Sequence, residues 1–545
     1  MVKFITRGIN NLLESVSGPS VDKVLTELSA KENFSPTRNE KKEAEIAITE
    51  SDIVSVVDQD EYISSIFIFK IPLIRKFIRA TYNPGDRNTP DYERYFAFKL
   101  DLYLMSWVCV SYLIKSIDQG NISNAYVTGM KEDLNFVGKQ YNWLQSYFTI
   151  GYAVMIIPSQ VIITWVRPNL WLPACEIIWG VLTVLAGGKF ITQAPQLYPI
   201  RFLIGFFESS SWPGIMVVLM HWYGPSELAS RAAGFGAAGI AGNMFTGFMQ
   251  AAITKTLNGA HGYEGWRWLF IINGIMTIVV ALAGFILLPG IPDEGRSAIW
   301  LSDDDVKIAL SRAQKFNKKS AGKFVWRDIP RLLFDYKVWV FLLGYTTWTW
   351  SRFGLSYFNL WLKSLKDAEG AARFSSYQLN LIPVGGYAIS FIMVLVSSKL
   401  ADLFNHHRFL IAITTEFFAV FATSVLTGWP SSTGFKFFAF FLLYTIDGVG
   451  PILTSLLTDI YRKDPVIRSV TLGLVVAVVY GMNAWYPLYI WPVTESPTYK
   501  IGWPVSLAFS LVSITMMSGF FFIHKRTVIR LAKEDYKGHD LIEDA

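Results

Sequence analysis

Charge is scarce in this chain, and cysteine is scarcer still. Only 17% of its 545 residues are Asp, Glu, Lys or Arg, against about 25% in an ordinary soluble domain. A soluble fold of this length needs polar side chains to cover its surface, and here they are missing. The two cysteines, Cys109 and Cys175, each lie inside an apolar run, which leaves no disulfide framework and no ordinary zinc site. HExxH and GxSxG are absent, and the phosphate loop is incomplete. Gly188 and Lys189 are followed by Phe190, and the first glycine is missing. Neither an enzyme nor a metal or cofactor is expected. The first residues lack a long uncharged apolar core followed by small residues, so no cleaved signal peptide is expected.

What the chain does have is apolar surface. It is 52% hydrophobic and 15% aromatic, with a mean hydropathy of +0.33. The formal charge of +6 is concentrated between apolar segments. That pattern suits topology signals facing anionic lipid and gives no reason to expect nucleic acid as a partner.

Residues 1–95 read as a largely disordered cytosolic tail. It carries an amphipathic patch at 66–80, suited either to the inner leaflet or to the cytosolic face of a bundle. From about Lys99, apolar segments near the ~20-residue spanning length follow one another. They fall at 100–118, 143–165, 170–188, 195–219, 232–254 and 268–288. A second set falls at 338–360, 379–397, 408–427, 433–456, 469–490 and 504–523. The predicted division is therefore a first six-helix bundle at 96–288, a basic central loop at 289–337, a second bundle at 338–523 and a tail at 524–545. Ser302 and Asp305 form an N-cap pair that predicts a short surface helix in the loop. Basic residues crowd three segments: Arg75 to Arg94, Arg296 to Lys337, and Lys525 to Lys537. An even number of spans puts all three on one side, which the positive-inside rule makes the cytosol, with both termini there. The expected fold is an all-α membrane protein of 12 transmembrane helices in two six-helix bundles. That resembles the plan of the major facilitator superfamily, whose substrate sites lie between the halves.

An ionisable side chain at membrane depth costs at least ~2.5 kcal/mol and usually faces the bundle interior or a water-filled path. Four stand in the first half: Asp118 at the apparent end of the first span, Glu176 in the third, and Arg201 and Glu208 in the fourth. Positions 201, 205 and 208 share one helical face, so a cation, a glycine and an acid lie in line. One reading is an anion-binding Arg201 coupled to a titratable Glu208. The other is an ion pair that only locks the helix to a neighbour. Asp118, near Asn121 and Asn124, fits either a helix-end cap or a working acid. In the second half, Arg352 sits near the outer end of the seventh span, Glu416 lies in the ninth, and Asp447 precedes Gly448, Gly450 and Pro451. Those three residues predict a broken helix lining the cavity. Glycines 234, 236, 239, 242 and 247 predict a smooth packing strip on the fifth helix. Trp222, Tyr223, Trp266 and Trp268 read as interface anchors. Trp350 and Tyr357, with Trp348, are candidates to stack on substrate.

Several stretches resemble the fungal allantoate permease family, a branch of the anion:cation symporters in the major facilitator superfamily. They are "NAYVTGMKEDL" (124–134), "RFLIGFFESSSWPG" through "HWYGPSELASRAA" (201–233), "LNGAHGYEGWRWLFII" (257–272) and "LPGIPD" (288–293). The resemblance covers about residues 95 to 525 and is strongest to yeast carriers of pantothenate and other vitamins. It implies import of a small organic anion, with pantothenate first and biotin second, driven by protons across the plasma membrane by a monomer. Allantoate and nicotinate are the alternatives. The substrate would meet Arg201, Trp350, Tyr357, Asn124 and Asp447, while Glu208, Asp118 and Glu176 would handle the proton. Two residues depart from many relatives. Gln119 stands where an Arg follows the helix 1 Asp, and Asn273 stands where helix 6 carries an acid. A nutrient receptor on the same fold is the competing class.

Overall fold

A computed structural model describes residues 90–163, 165–292, 295–315, 334–403, 408–461 and 465–543, with Ile74, Lys76 and Ile78. The N-terminal tail, most of the amphipathic patch, residues 316–333 of the central loop, and His406 and His407 lie outside the described residues. Among those described, long helices dominate and there is no named strand.

The first half comprises α1 (Asp91–Asp133), α2 (Gln140–Ile162), α3 (Pro168–Ala186), α4 (Ala194–Trp222), α5 (Pro225–Thr256) and α6 (Gly265–Leu287). In the second half, α7 (Tyr336–Ser351) continues through a tight turn at Phe353–Tyr357 into Phe358–Ser364. It is followed by α8 (Ser376–Leu403), α9 (Arg408–Gly428) and α10 (Thr433–Leu443, resuming at Val449–Ile460), then α11 (Pro465–Asn483) and α12 (Gly502–Glu543). Among the described residues, nine helices are long and apolar enough to cross a membrane. α2, α5 and α7 fall below that measure. Tyr, Asn and Gln dilute α2, glycine with Asn243, Thr246 and Gln250 dilutes α5, and the turn at Phe353 shortens α7.

The surface helix Asp303–Lys315 starts where the N-cap pair predicts it. The Ser302 amide donates to Asp305 Oδ2 at 2.7 Å, and the Asp305 amide donates to Ser302 Oγ at 3.2 Å. This helix is tied to the first half. Lys99 reaches Asp305 at 2.5 Å, and Arg312 pairs with Glu227 at the start of α5.

Three expectations are corrected. α1 does not end at residue 118 but carries on to a kink at Thr128 and Gly129, with one last turn to Asp133 beyond it, because its polar residues Asp118, Asn121 and Asn124 point into the protein and never break the helix. Asp118 is therefore no cap. Trp222, Tyr223 and Trp266 are buried, so they are not interface anchors. Trp222 Nε1 donates to Gly290 O at 2.8 Å, and Trp266 Nε1 donates to Asp133 Oδ2 at 2.6 Å. The α5 glycines do not act as one strip. Gly239 and Gly242 press against α1 and Gly247 against Asn380 of α8, whereas a side chain at Gly236 would meet nothing among the described residues.

α10 is broken as its Asp–Gly–Val–Gly–Pro run predicts, by a tight turn at Tyr444–Gly448. Close helix pairs hold each half: α1 with α5, α2 with α4, and α3 with α6 in the first, α7 and α9 with α12 in the second. α5 also packs along α8, joining the halves.

Candidate functional site

The site grows from the α2–α4 crossing. A Cβ at Gly205 would run into the carbonyl oxygen of Phe148, and one at Gly151 into that of Phe202. The two backbones therefore touch, and the glycine of the predicted Arg201–Gly205–Glu208 stripe serves helix contact. One residue after Glu208 the helix slackens. Ser209 and Ser210 turn their hydroxyls back onto Phe206 O and Phe207 O, each at 2.8 Å, before Ser211–Trp222 resumes. Arg201 and Glu208 project from this segment into the first half, 2% and 0% exposed.

Asp118 of α1 lies within electrostatic reach of both Arg201 and Glu208. Its Oδ1 accepts from Thr183 Oγ1 at 3.1 Å and from Asn273 Nδ2 at 2.9 Å. At position 273 an acid would face Asp118 with like charge; the amide offers a donor instead. Arg201 lies over the Phe148 ring, 4.6 Å from its centroid. Its Nε and Nη1 donate to nothing among the described residues.

Glu208 Oε1 accepts from Gln119 Nε2 at 2.6 Å and lies 3.9 Å from Lys115 Nζ. Lys115 was not among the residues expected here, although a lysine inside an apolar run carries the same signal as the four charges that were. Its ammonium lies 5.3 Å from the ring centroids of both Tyr112 and Tyr152. Tyr152 in turn stacks on Tyr480 of α11, with centroids 4.0 Å apart and planes within 6°. Glu176 sits at the edge of the group, accepting from Ser111 Oγ on α1.

The other expected contacts lie elsewhere. Asn124 Oδ1 accepts from Asn359 Nδ2 at 2.7 Å, across the two halves. The Tyr357 hydroxyl accepts from Asn142 Nδ2 at 3.0 Å, and its ring stacks on Trp491. Trp350 is buried against Tyr486 and Phe509. Asp447 pairs with Arg352, whose guanidinium lies over Trp348. Arg352, expected at the outer end of its span, is thus tied to the break in α10. Among the described residues no group of three His, Cys, Asp or Glu could hold a metal.

Three comparisons bear on this arrangement. The profile of the Major Facilitator Superfamily matches residues 108–463. A protein of Pestalotiopsis fici named MFS transporter PfmaC is 31% identical, over 84% of this chain and 85% of its own. From Saccharomyces cerevisiae, the Pantothenate transporter FEN2 is 29% identical over 80% and 84% of the two chains. The Vitamin H transporter of the same yeast is 28% identical over 83% and 76%. Among solved structures, the proton:xylose symporter XylE superposes with a TM-score of 0.58 at 13% identity, covering 78% of this chain and 96% of its own. The helices, the buried charges between them and these matches agree: the chain belongs to the Major Facilitator Superfamily, as a membrane transporter and not an enzyme.

Proposed function

We propose that the protein is a proton-coupled importer of a small carboxylate-bearing nutrient, with pantothenate the first substrate to test and biotin the second. The observation that carries this reading is the buried α4 face. Arg201 keeps two donors free within reach of Glu208 and Asp118, so an anion can be held beside a group that can carry a proton. The two yeast relatives, transporters of pantothenate and vitamin H, suggest the cargo class, and the allantoate permease resemblance agrees with an organic anion. Glu208 takes up and releases the proton, with Asp118 and Glu176 assisting. Asp447, paired with Arg352, is the second half's contribution to the cavity. Trp350 remains a stacking candidate only if its packing loosens. Asn124 and Tyr357 are assigned to closure between the halves, because their polar atoms are already engaged there.

The same reading places the division of the chain at 96–288 and 338–523. It also places both termini in the cytosol and the protein, as a monomer, in the plasma membrane. The basic stretches flanking the bundles support that orientation. Expression in a strain lacking vitamin uptake tests it directly. Labelled pantothenate or biotin should accumulate and should stop accumulating when the proton gradient is collapsed. Glu208→Gln should abolish accumulation. Transport by that variant with unchanged dependence on external pH would remove Glu208 from the mechanism. Failure to transport either vitamin, with transport of allantoate or nicotinate instead, would correct the cargo.

A further inference from the structure

Lys115 is a buried cation with almost nothing to hold. Its ammonium has three donors, yet the acceptors it meets among the described residues are the Tyr152 hydroxyl at 3.4 Å and Glu208 Oε1 at 3.9 Å. The short bond to that carboxylate oxygen belongs instead to Gln119, at 2.6 Å. A buried charge-assisted pair normally closes to about 2.7–2.9 Å. Lys115 and Gln119 lie four residues apart on one face of α1, so both address Glu208 from the same side. The partly buried rings of Tyr112 and Tyr480 stand beside them, and Tyr480 belongs to the other half. Arg201 approaches Glu208 from its own helix and also serves Asp118.

We propose that Lys115 is a substrate-carboxylate site, and that Glu208 and the substrate carboxylate compete for its ammonium. The proposal rests on the anion-import reading above and adds a second cation to it. With Glu208 ionised, the pair is neutral and an incoming anion would bring unbalanced charge into a buried site. A proton from the water on the open side neutralises Glu208 and frees Lys115. The substrate carboxylate then takes its place, so the sum of charges at the pair is again zero. On the far side the carboxylate leaves, Glu208 releases its proton to that water, and the original pair re-forms. Anion and proton then travel together because neither arrangement with only one of them is balanced. Other charged or titratable groups facing Glu208 are Asp118 and Tyr112 of α1, Tyr152 of α2, Arg201 of α4 and Tyr480 of α11. Glu176 of α3 acts on Lys115.

Binding to the purified full chain tests this, with labelled pantothenate and biotin as probes and their neutral alcohol and amide analogues as competitors. The wild type should prefer each acid over its neutral analogue by at least about tenfold at pH 5.5, and less at pH 7.5. A hydrogen bond to a buried charge has about that effect. Lys115→Met should bind acid and analogue within about threefold of each other, and Lys115→Arg should restore the preference. Glu208→Gln, with no competitor for Lys115, should prefer the acid equally at both pH values. A Lys115→Met protein that keeps the wild-type preference overturns the proposal while leaving anion import intact. If Lys115→Met cannot be purified, the Glu208→Gln profile decides: a preference that still falls with pH overturns it. A wild type with no preference for either acid removes the anion reading, and this inference with it.

Discussion

Arg201 shows how a buried charge constrains its neighbours. It lies 2% exposed between Asp118 and Glu208, with the Phe148 ring beneath its guanidinium. Removing it leaves the two buried carboxyls of Asp118 and Glu208 facing the single ammonium of Lys115, an effect of about 3–5 kcal/mol when a buried pair is broken. Arg201→Ala should therefore lower the thermal unfolding midpoint of the detergent-purified protein sharply. Adding Glu208→Gln should recover part of that loss, because one carboxyl then faces one ammonium. A coupling of about 0.5–3 kcal/mol marks groups that share one network. Effects that merely add would mean that the two residues of the α4 face do not interact. At this scale the sequence was readable by a single rule: charges are rare inside spans, and those present do something. The rule found Asp118, Glu176, Arg201 and Glu208. Lys115 lies inside the same predicted 100–118 span and carries the same signal, but its hydrocarbon stem lets a lysine near a span end reach the interface, so the sequence alone does not set it apart. Asn142 and Tyr480 escaped for another reason: an amide or a phenol inside a span carries little signal until its partner is known.

Among elements, helices were legible and their contacts were not. The apolar segments and the break in α10 follow from hydropathy and from glycine and proline placement. The extension of α1 does not, since polar residues that face inward look in a sequence like a segment ending. Glycines are equally ambiguous, because what a glycine permits depends on the helix across from it. Gly205 and Gly236 make opposite cases. A methyl at Gly205 meets the Phe148 carbonyl directly, so Gly205→Ala must push α2 and α4 apart, at about 1–3 kcal/mol. A methyl at Gly236 meets nothing among the described residues, so Gly236→Ala should be neutral or stabilise by about 0.5–1 kcal/mol through helix propensity. Thermal unfolding of the two single variants separates them. Equal effects would mean that the α2–α4 crossing is less tight than described. Because Arg201 and Glu208 ride on this crossing, Gly205→Ala should also weaken transport where Gly236→Ala does not.

For the molecule as a whole, the feature least visible in the sequence is the closure between its halves. Asn142, fully buried in α2, donates to Pro487 O and Trp491 O, each at 2.9 Å, and its Oδ1 accepts from the Val493 amide at 2.8 Å. These partners lie more than 340 residues along the chain, so no local pattern announces them. Asn124 with Asn359, Gln145 with Tyr357, Lys139 with Leu488 O, and Lys363 with Glu132 gather at the same end, where α1 finishes and α2 begins. Alternating access requires these bonds to open. Replacing Asn142 by Ala leaves buried carbonyls and an amide without partners, at about 1–3 kcal/mol for each group left unsatisfied. That cost falls on the closed arrangement, where the groups are dry, and much less on an arrangement where water reaches them. About 1.4 kcal/mol shifts a two-state population tenfold, so Asn142→Ala should shift the protein toward opening at this end. A Glu132→Cys, Lys363→Cys pair, joined by a short bifunctional thiol reagent, reports the change. Cys109 and Cys175 are replaced first. Cross-linking should fall several-fold when Asn142→Ala is added. An unchanged yield would show that Asn142 fills space without holding the halves together.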